Sequence, residues 1–170
     1  VNNLKLRKIK DSNEVQVIGL PMNPRISNIA WSPNDKKISF SHTAASGVEL
    51  WVIDVASAKA TKLTAATVNA NLGSPFSWMN DNETILVKML PKNRAALLDA
   101  KKDLPTGPII SNADGAKSQN RTYPDMLKNK NDEINFENIM TSELYKVNLN
   151  GTATLFKKAD MYAGESFSPD

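Results

Sequence analysis

Residues 30–40 read Ala-Trp-Ser-Pro-Asn-Asp-Lys-Lys-Ile-Ser-Phe, and residues 76–87 give a degraded copy, Phe-Ser-Trp-Met-Asn-Asp-Asn-Glu-Thr-Ile-Leu-Val. The chain stops on Phe167-Ser168-Pro169-Asp170, the same phrase barely begun. Ser32 and Ser77 stand 45 residues apart (77 − 32). A repeat that ends mid-phrase is expected of a fragment of a longer repeat array.

Working outward from the phrase, each copy sits between two strands. Ile26–Trp31 is followed by Ser32-Pro33-Asn34-Asp35, with Pro at the second turn position and Asn-Asp after it. Lys37–His42 alternates Ile38 and Phe40 with Ser39 and Ser41, the half-buried strand period. Glu49–Val55 is rich in apolar and β-branched residues, as a central strand is. Ala60–Thr64 closes the unit. In the second unit Ser74–Trp78 and Thr84–Leu90 are the first two strands. Glu143-Leu144-Tyr145-Lys146-Val147 then echoes Glu49-Leu50-Trp51-Val52-Ile53, Asn150-Gly151 signals a hairpin, and Thr152–Lys157 is the fourth strand.

Four short strands per period of roughly this length is the pattern of a β-propeller blade. The expected fold class is all-β: a partial propeller of about two four-stranded antiparallel blades, with a partly helical insertion in the second. The expected layout is a lead-in over 1–25, a first blade over 26–64, a second over 74–157 and the start of a third over 163–170. The insertion spans 91–141, because Ser77 and Ser168 are 91 residues apart (168 − 77), about twice one period. Within it, Arg94–Ala100, Pro124–Lys128 and Asp132–Met140 are expected to be short helices, and Ile134, Phe136, Ile139 and Met140 to pack down. Stacked blades are apolar on both faces, which predicts Trp31, Phe40, Leu50, Trp51 and Trp78 as core. Two blades cannot close a ring, so self-association through exposed faces or edges is expected.

Composition narrows the function. With 170 residues, 41% of them hydrophobic, the chain is long enough for a real core. No apolar run approaches a membrane span, and Val1–Lys5 has no signal-peptide core. A net charge of +3 with interspersed signs offers no basic stripe for nucleic acid. The absence of cysteine excludes disulfides, thiol catalysis and cysteine zinc sites. No cofactor is expected, since no glycine-rich phosphate loop is present.

Gly19-Leu20-Pro21-Met22-Asn23-Pro24-Arg25-Ile26, Trp31–Asp35 and Gly47–Val55 resemble the N-terminal propeller of prolyl oligopeptidase-family serine peptidases. Leu104–Ile110 and Arg121–Asn129 resemble the same group, in its bacterial and plastid branch related to glutamyl endopeptidase and dipeptidyl aminopeptidases. The resemblance implies a propeller that gates and positions peptides for a C-terminal α/β-hydrolase domain holding the serine, aspartate and histidine. No segment here matches that domain, so no catalytic, cofactor or metal residue is carried over. Peptide substrate, the hydrolase domain and the remaining blades are the implied partners, in a periplasmic or secreted protein. The rival expectation is a TolB-like propeller that binds a protein or glycan and carries no hydrolase.

The residues were weighed for chemistry on their own account. Gly164-Glu165-Ser166-Phe167-Ser168 lacks the last glycine of a nucleophile elbow and overlaps the repeat phrase. His42, the one histidine, has no partner motif and is expected at a blade edge. Asp132, Glu133 and Glu137 would share one helix face, where Asp132 as N-cap and Glu133 in the first turn explain them without a metal. Some relatives use paired glutamates on an insertion to grip a substrate amine, which Asp132-Glu133 matches only loosely. Arg94, Arg121 and Lys128 are the cations that a carboxylate substrate would need.

Overall fold

The computed structural model describes residues 2–10, 12–99, 115, 127 and 129–168. It divides into a larger unit, 1–93 with 140–170, and a smaller one, 94–139. The larger unit holds β1 (Lys5–Arg7), β2 (Glu14–Gln16), β3 (Ile26–Trp31), β4 (Lys37–Ala44), β5 (Gly47–Asp54) and β6 (Lys59–Lys62). It continues with β7 (Phe76–Trp78), β8 (Thr84–Met89), β9 (Ser142–Asn148) and β10 (Ala153–Asp160). Strands β3-β4-β5-β6 form sheet I and β7-β8-β9-β10 form sheet II, each an antiparallel meander in chain order. The predominantly β class and the two four-stranded sheets agree with the sequence. The hairpin β1-β2 was not anticipated, because its strands are three residues long and largely exposed.

Equivalent residues do equivalent work in the two sheets. In sheet I, Asn34 Oδ1 accepts a hydrogen bond from the Lys36 amide at 3.1 Å, and Asp35 takes a left-handed φ of 58°. In sheet II, Asp81 Oδ1 accepts from the Glu83 and Thr84 amides at 3.0 and 2.9 Å, and Asn82 takes φ 62°. Asn and Asp tolerate that region best among residues with a Cβ. On the third strands, the Trp51 indole donates to Glu49 at 2.8 Å and the Tyr145 hydroxyl donates to Glu143 at 3.0 Å. The echo between 49–55 and 143–149 is thus a repeat of side-chain bonding as well as of letters.

Register decides which residues meet. Ser39 pairs with Val52 and Ser41 with Leu50, so these share one face of sheet I; Ile38, Phe40 and Ile53 share the other. The first face packs against sheet II, where Leu50, Val52 and Val68 meet Trp78, Val87 and Val147 in one buried cluster. Two polar ties cross the same seam: the Trp78 indole donates to Ala30 O at 3.4 Å, and the Asn34 amide donates to Asn82 Oδ1 at 2.8 Å. On the second face Ile38, Phe40 and Ile53 are covered by Val17, with Leu4, Leu6 and Leu20 alongside. The lead-in segment therefore supplies the apolar cover for that face.

Phe40 and Leu50 are fully buried and Trp78 is buried, as expected. Trp51 is half-buried, and Trp31 is 52% exposed, against expectation. Trp31 ends its strand at the last pair before the turn, opposite Ile38, where little backbone remains to cover it. His42, expected at an edge, is buried: its Nδ1 accepts from the Arg25 amide at 3.1 Å, and its ring meets Trp51 edge-on at 6.4 Å.

Among its described residues the smaller unit contains one helix, α1 (Lys130–Met140), covering the expected Asp132–Met140. Its N-cap is Asn129, whose Oδ1 accepts from the Asp132 amide at 3.0 Å, so Asp132 is not the cap but sits in the first turn. None of its residues is fully buried; Ile134, Ile139 and Met140 are half-buried and Phe136 is 39% exposed. Residues 94–99 are not helical; Arg94 Nε instead donates to Asn138 O at 3.0 Å, and Asn135 forms two bonds with the Leu98 backbone. The expected helix over Pro124–Lys128 lies, apart from Leu127, outside the described residues.

If the seam between the sheets is the principal core, Leu50→Ala should lower the unfolding free energy by about 2–5 kcal/mol, the range for a buried leucine that leaves a cavity. Thr61→Ala, on the exposed β6, should cost less than about 0.5 kcal/mol. Urea denaturation followed by tryptophan fluorescence separates the two.

Candidate functional site

A cleft of about 1220 Å³ opens in the larger unit where the strand-connecting turns gather. Its walls come from β1, the Ser32–Lys37 turn, the Asp54–Ala58 turn and the Asp81–Glu83 turn, and the half-exposed indole of Trp31 faces into it. The repeat builds the site: each copy of the phrase delivers a tight polar turn to the same end of its sheet. Pro33 and the left-handed Asp35 keep the first turn short, and the Asn34–Asn82 bond holds the two turns together.

The charges of the cleft are mixed. Lys37 Nζ stands 3.1 Å from Asp54 Oδ2. The Asp54 carboxyl is held down at about 2, chiefly by the Ser57 amide, then by the Ser57 hydroxyl and the Lys37 ammonium. At Asp81 burial works to raise the carboxyl, but the bonds from Thr84 and Glu83 outweigh it and the net shift is downward. Both acids are thus committed to holding their turns as anions. Chemically this is a wall that can hold a polar chain, with no nucleophile and base placed together.

The residues weighed from the sequence do not converge. His42 is buried with one ring nitrogen engaged and does not line the cleft. Arg94 braces its own unit through Asn138 O, while Arg121 and Lys128 lie outside the described residues. Glu133 pairs with Lys130 at 2.8 Å, and Glu137 is exposed. Among the described residues no group of three or more histidines or acids is placed to hold a metal ion. No helix among them is long and apolar enough to cross a membrane.

The sequence reading missed one buried polar cluster. Lys88, on the central strand β8, is 1% exposed, donates to Leu72 O at 3.0 Å and stands 3.5 Å from Glu165 Oε2. Glu165 Oε1 accepts from the Ser77 hydroxyl at 2.8 Å. The signal was a lone lysine inside Ile85-Leu86-Val87-Lys88-Met89, a run otherwise wholly apolar. Its partner could not be found from sequence, because Glu165 lies in a segment without periodicity, inside the run weighed as a nucleophile elbow.

Two stacked antiparallel meanders and a mixed-charge cleft describe a β-sheet domain of repeated units. No family model matches the chain. It is 33% identical over 167 residues to a protein of Oryza sativa subsp. japonica named "probable glutamyl endopeptidase, chloroplastic", covering 92% of this chain and 18% of that protein. A protein of the same name from Arabidopsis thaliana is 33% identical over 151 residues, covering 83% of this chain and 15% of that one. The chain is therefore related to peptidases, and it spans less than a fifth of the length of these curated relatives. Among solved structures, the acylaminoacyl peptidase of Pyrococcus horikoshii aligns over 91% of this chain and 20% of that one, at 14% identity and a TM-score of 0.46.

Asp54 gives a pH signature. Its folded value of about 2 lies below the 3.8 of an unperturbed aspartate, so its stabilising effect is present above 3.8 and is lost as the pH falls toward 2. Asp54→Asn should flatten that part of the acid limb and leave the curve at neutral pH parallel to the parent. Urea midpoints measured across the acid range check this.

Proposed function

We propose that the chain is a non-catalytic, propeller-type domain of a serine peptidase of the prolyl oligopeptidase family. In this reading it screens and positions peptides for an α/β-hydrolase domain that this sequence does not contain. The observation that carries the reading is the repetition itself. Two successive four-stranded meanders have the same strand order, the same left-handed turn position and the same ring-to-glutamate bond, and they stack face to face around one core. Such stacking is the building rule of a propeller, in which each sheet covers its neighbour. Support also comes from relatives named glutamyl endopeptidase, of which this chain corresponds to a small part.

The chemistry agrees. A serine triad needs a histidine that can exchange a proton with a neighbouring hydroxyl. The one histidine here is buried and accepts from a backbone amide. The cleft presents committed carboxylates, lysines and one indole, groups suited to holding an extended peptide. The same reading makes the parent protein an exported enzyme, in the periplasm or outside the cell, and cell fractionation is its test.

Two outcomes follow. The purified chain should cleave no chromogenic glutamyl peptide and take no label from a fluorophosphonate. A labelled serine mapping to this sequence, with hydrolysis lost on its substitution, would overturn the reading. The chain also leaves Ile29, Leu155 and Phe156 exposed on its sheets, so it should self-associate when isolated. Sedimentation at rising concentration reads this, and a strict monomer at every concentration would contradict it.

A further inference from the structure

We propose that Lys88, Glu165 and Ser77 form a clasp that straps residues 161–168 across the face of sheet II turned away from sheet I. Register defines that face. Ile85 pairs with Val147 and Val87 with Tyr145 on the side packed against sheet I, so Leu86, Lys88 and Leu144 point the other way. Leu86 and Leu144 are nevertheless only 4% and 5% exposed. The C-terminal segment crosses here. Glu165 reaches both Ser77, the cross-strand partner of Leu86, and Lys88, the partner of Leu144. At Gly73 the strap lies so close that a Cβ would collide with Ala163 O. Gly73 also has φ 64°, a second reason for glycine there.

Met161 is 47% and Phe167 37% exposed, Ala163, Gly164 and Ser166 are exposed, and 161–168 forms no strand. Glu165 is the carboxylate by which this segment enters the sheet. Lys88 is fixed independently by Leu72 O, so it acts as a preset positive socket rather than a flexible surface charge. Among the described residues no hydrogen-bond donor reaches Glu165 Oε2, with Lys88 Nζ at 3.5 Å. That slack makes the joint releasable. Removing either charge leaves the other buried and unpaired, a large penalty that unseating the strap relieves by admitting water. The geometry makes the strap a separately releasable element on a sheet that stays folded.

The chain has no cysteine, so a single introduced thiol reports one place. Leu86→Cys sits under the strap, and Leu50→Cys sits between the sheets and reports global opening. In the Leu86→Cys background, Lys88→Met or Glu165→Gln should raise the thiol-labelling rate by about 100-fold or more, and that labelling should vary little with added urea, whereas labelling at Leu50→Cys should climb steeply with it. Ser77→Ala weakens the clasp without stranding a charge and should give a smaller increase at Leu86→Cys. Near-ultraviolet circular dichroism identifies any variant that fails to fold. Should Lys88→Met do so, Glu165→Gln and Ser77→Ala decide. Unchanged labelling at Leu86→Cys, or a urea dependence there as steep as at Leu50→Cys, would overturn the clasp. None of this depends on the peptidase reading.

Discussion

The larger unit depends on one contact: the apolar face of sheet I, carrying Leu50 and Val52, closing on the face of sheet II that carries Val87 and Val147. A four-stranded meander has two faces and cannot bury either by itself, so each sheet requires a neighbour on both sides. In sheet I the second neighbour is the lead-in segment, through Val17 and the hairpin residues Leu4 and Leu6. In sheet II the opposite face is crossed by the polar strap. The cleft follows from the same contact, because stacking brings the first-to-second-strand turns of both sheets to one end, where Asn34 and Asn82 join them.

The strands were legible because their signals are local. Alternation in Lys37–His42 and the Pro-Asn-Asp turn located β3 and β4, and the likeness of 143–149 to 49–55 recovered β9 across a long interruption. What was not legible depended on cover supplied from elsewhere. Trp31 and Trp51 look alike as letters, yet Trp51 sits mid-strand in the register while Trp31 stands at the rim of the turn. His42 looked peripheral, but the chain entering at Arg25 buries it. Short β1 and β2 exist through tertiary support, which no window of a few residues carries.

The two sheets share a plan and differ in their polar content. Corresponding positions on the two second strands hold Ser41 in sheet I and Lys88 in sheet II, each three residues beyond Ile38 or Ile85. Ser41 is satisfied locally, donating to Ser27 O at 3.0 Å and accepting from Asn28. Lys88 needs an anion, and that anion comes from outside the four strands. One substitution within a repeat thereby turns a self-sufficient position into one that recruits a distant segment.

The lead-in does more than cover a face. Ile18 accepts from the Ala60 amide at 2.8 Å and donates to Ala58 O at 2.9 Å, running parallel to the outer strand β6. Gly19 follows at φ 76°, where a Cβ would stand 2.8 Å from Ala60 O, so only glycine lets the chain pass so near. The outermost strand of sheet I is thereby denied to foreign backbones, while β10 relies on register breaks and on Lys157 and Lys158. A form of this protein cut behind Ile18 would bare the backbone edge of β6 and, with Val17 gone, uncover the apolar face of Ile38, Phe40 and Ile53 as well.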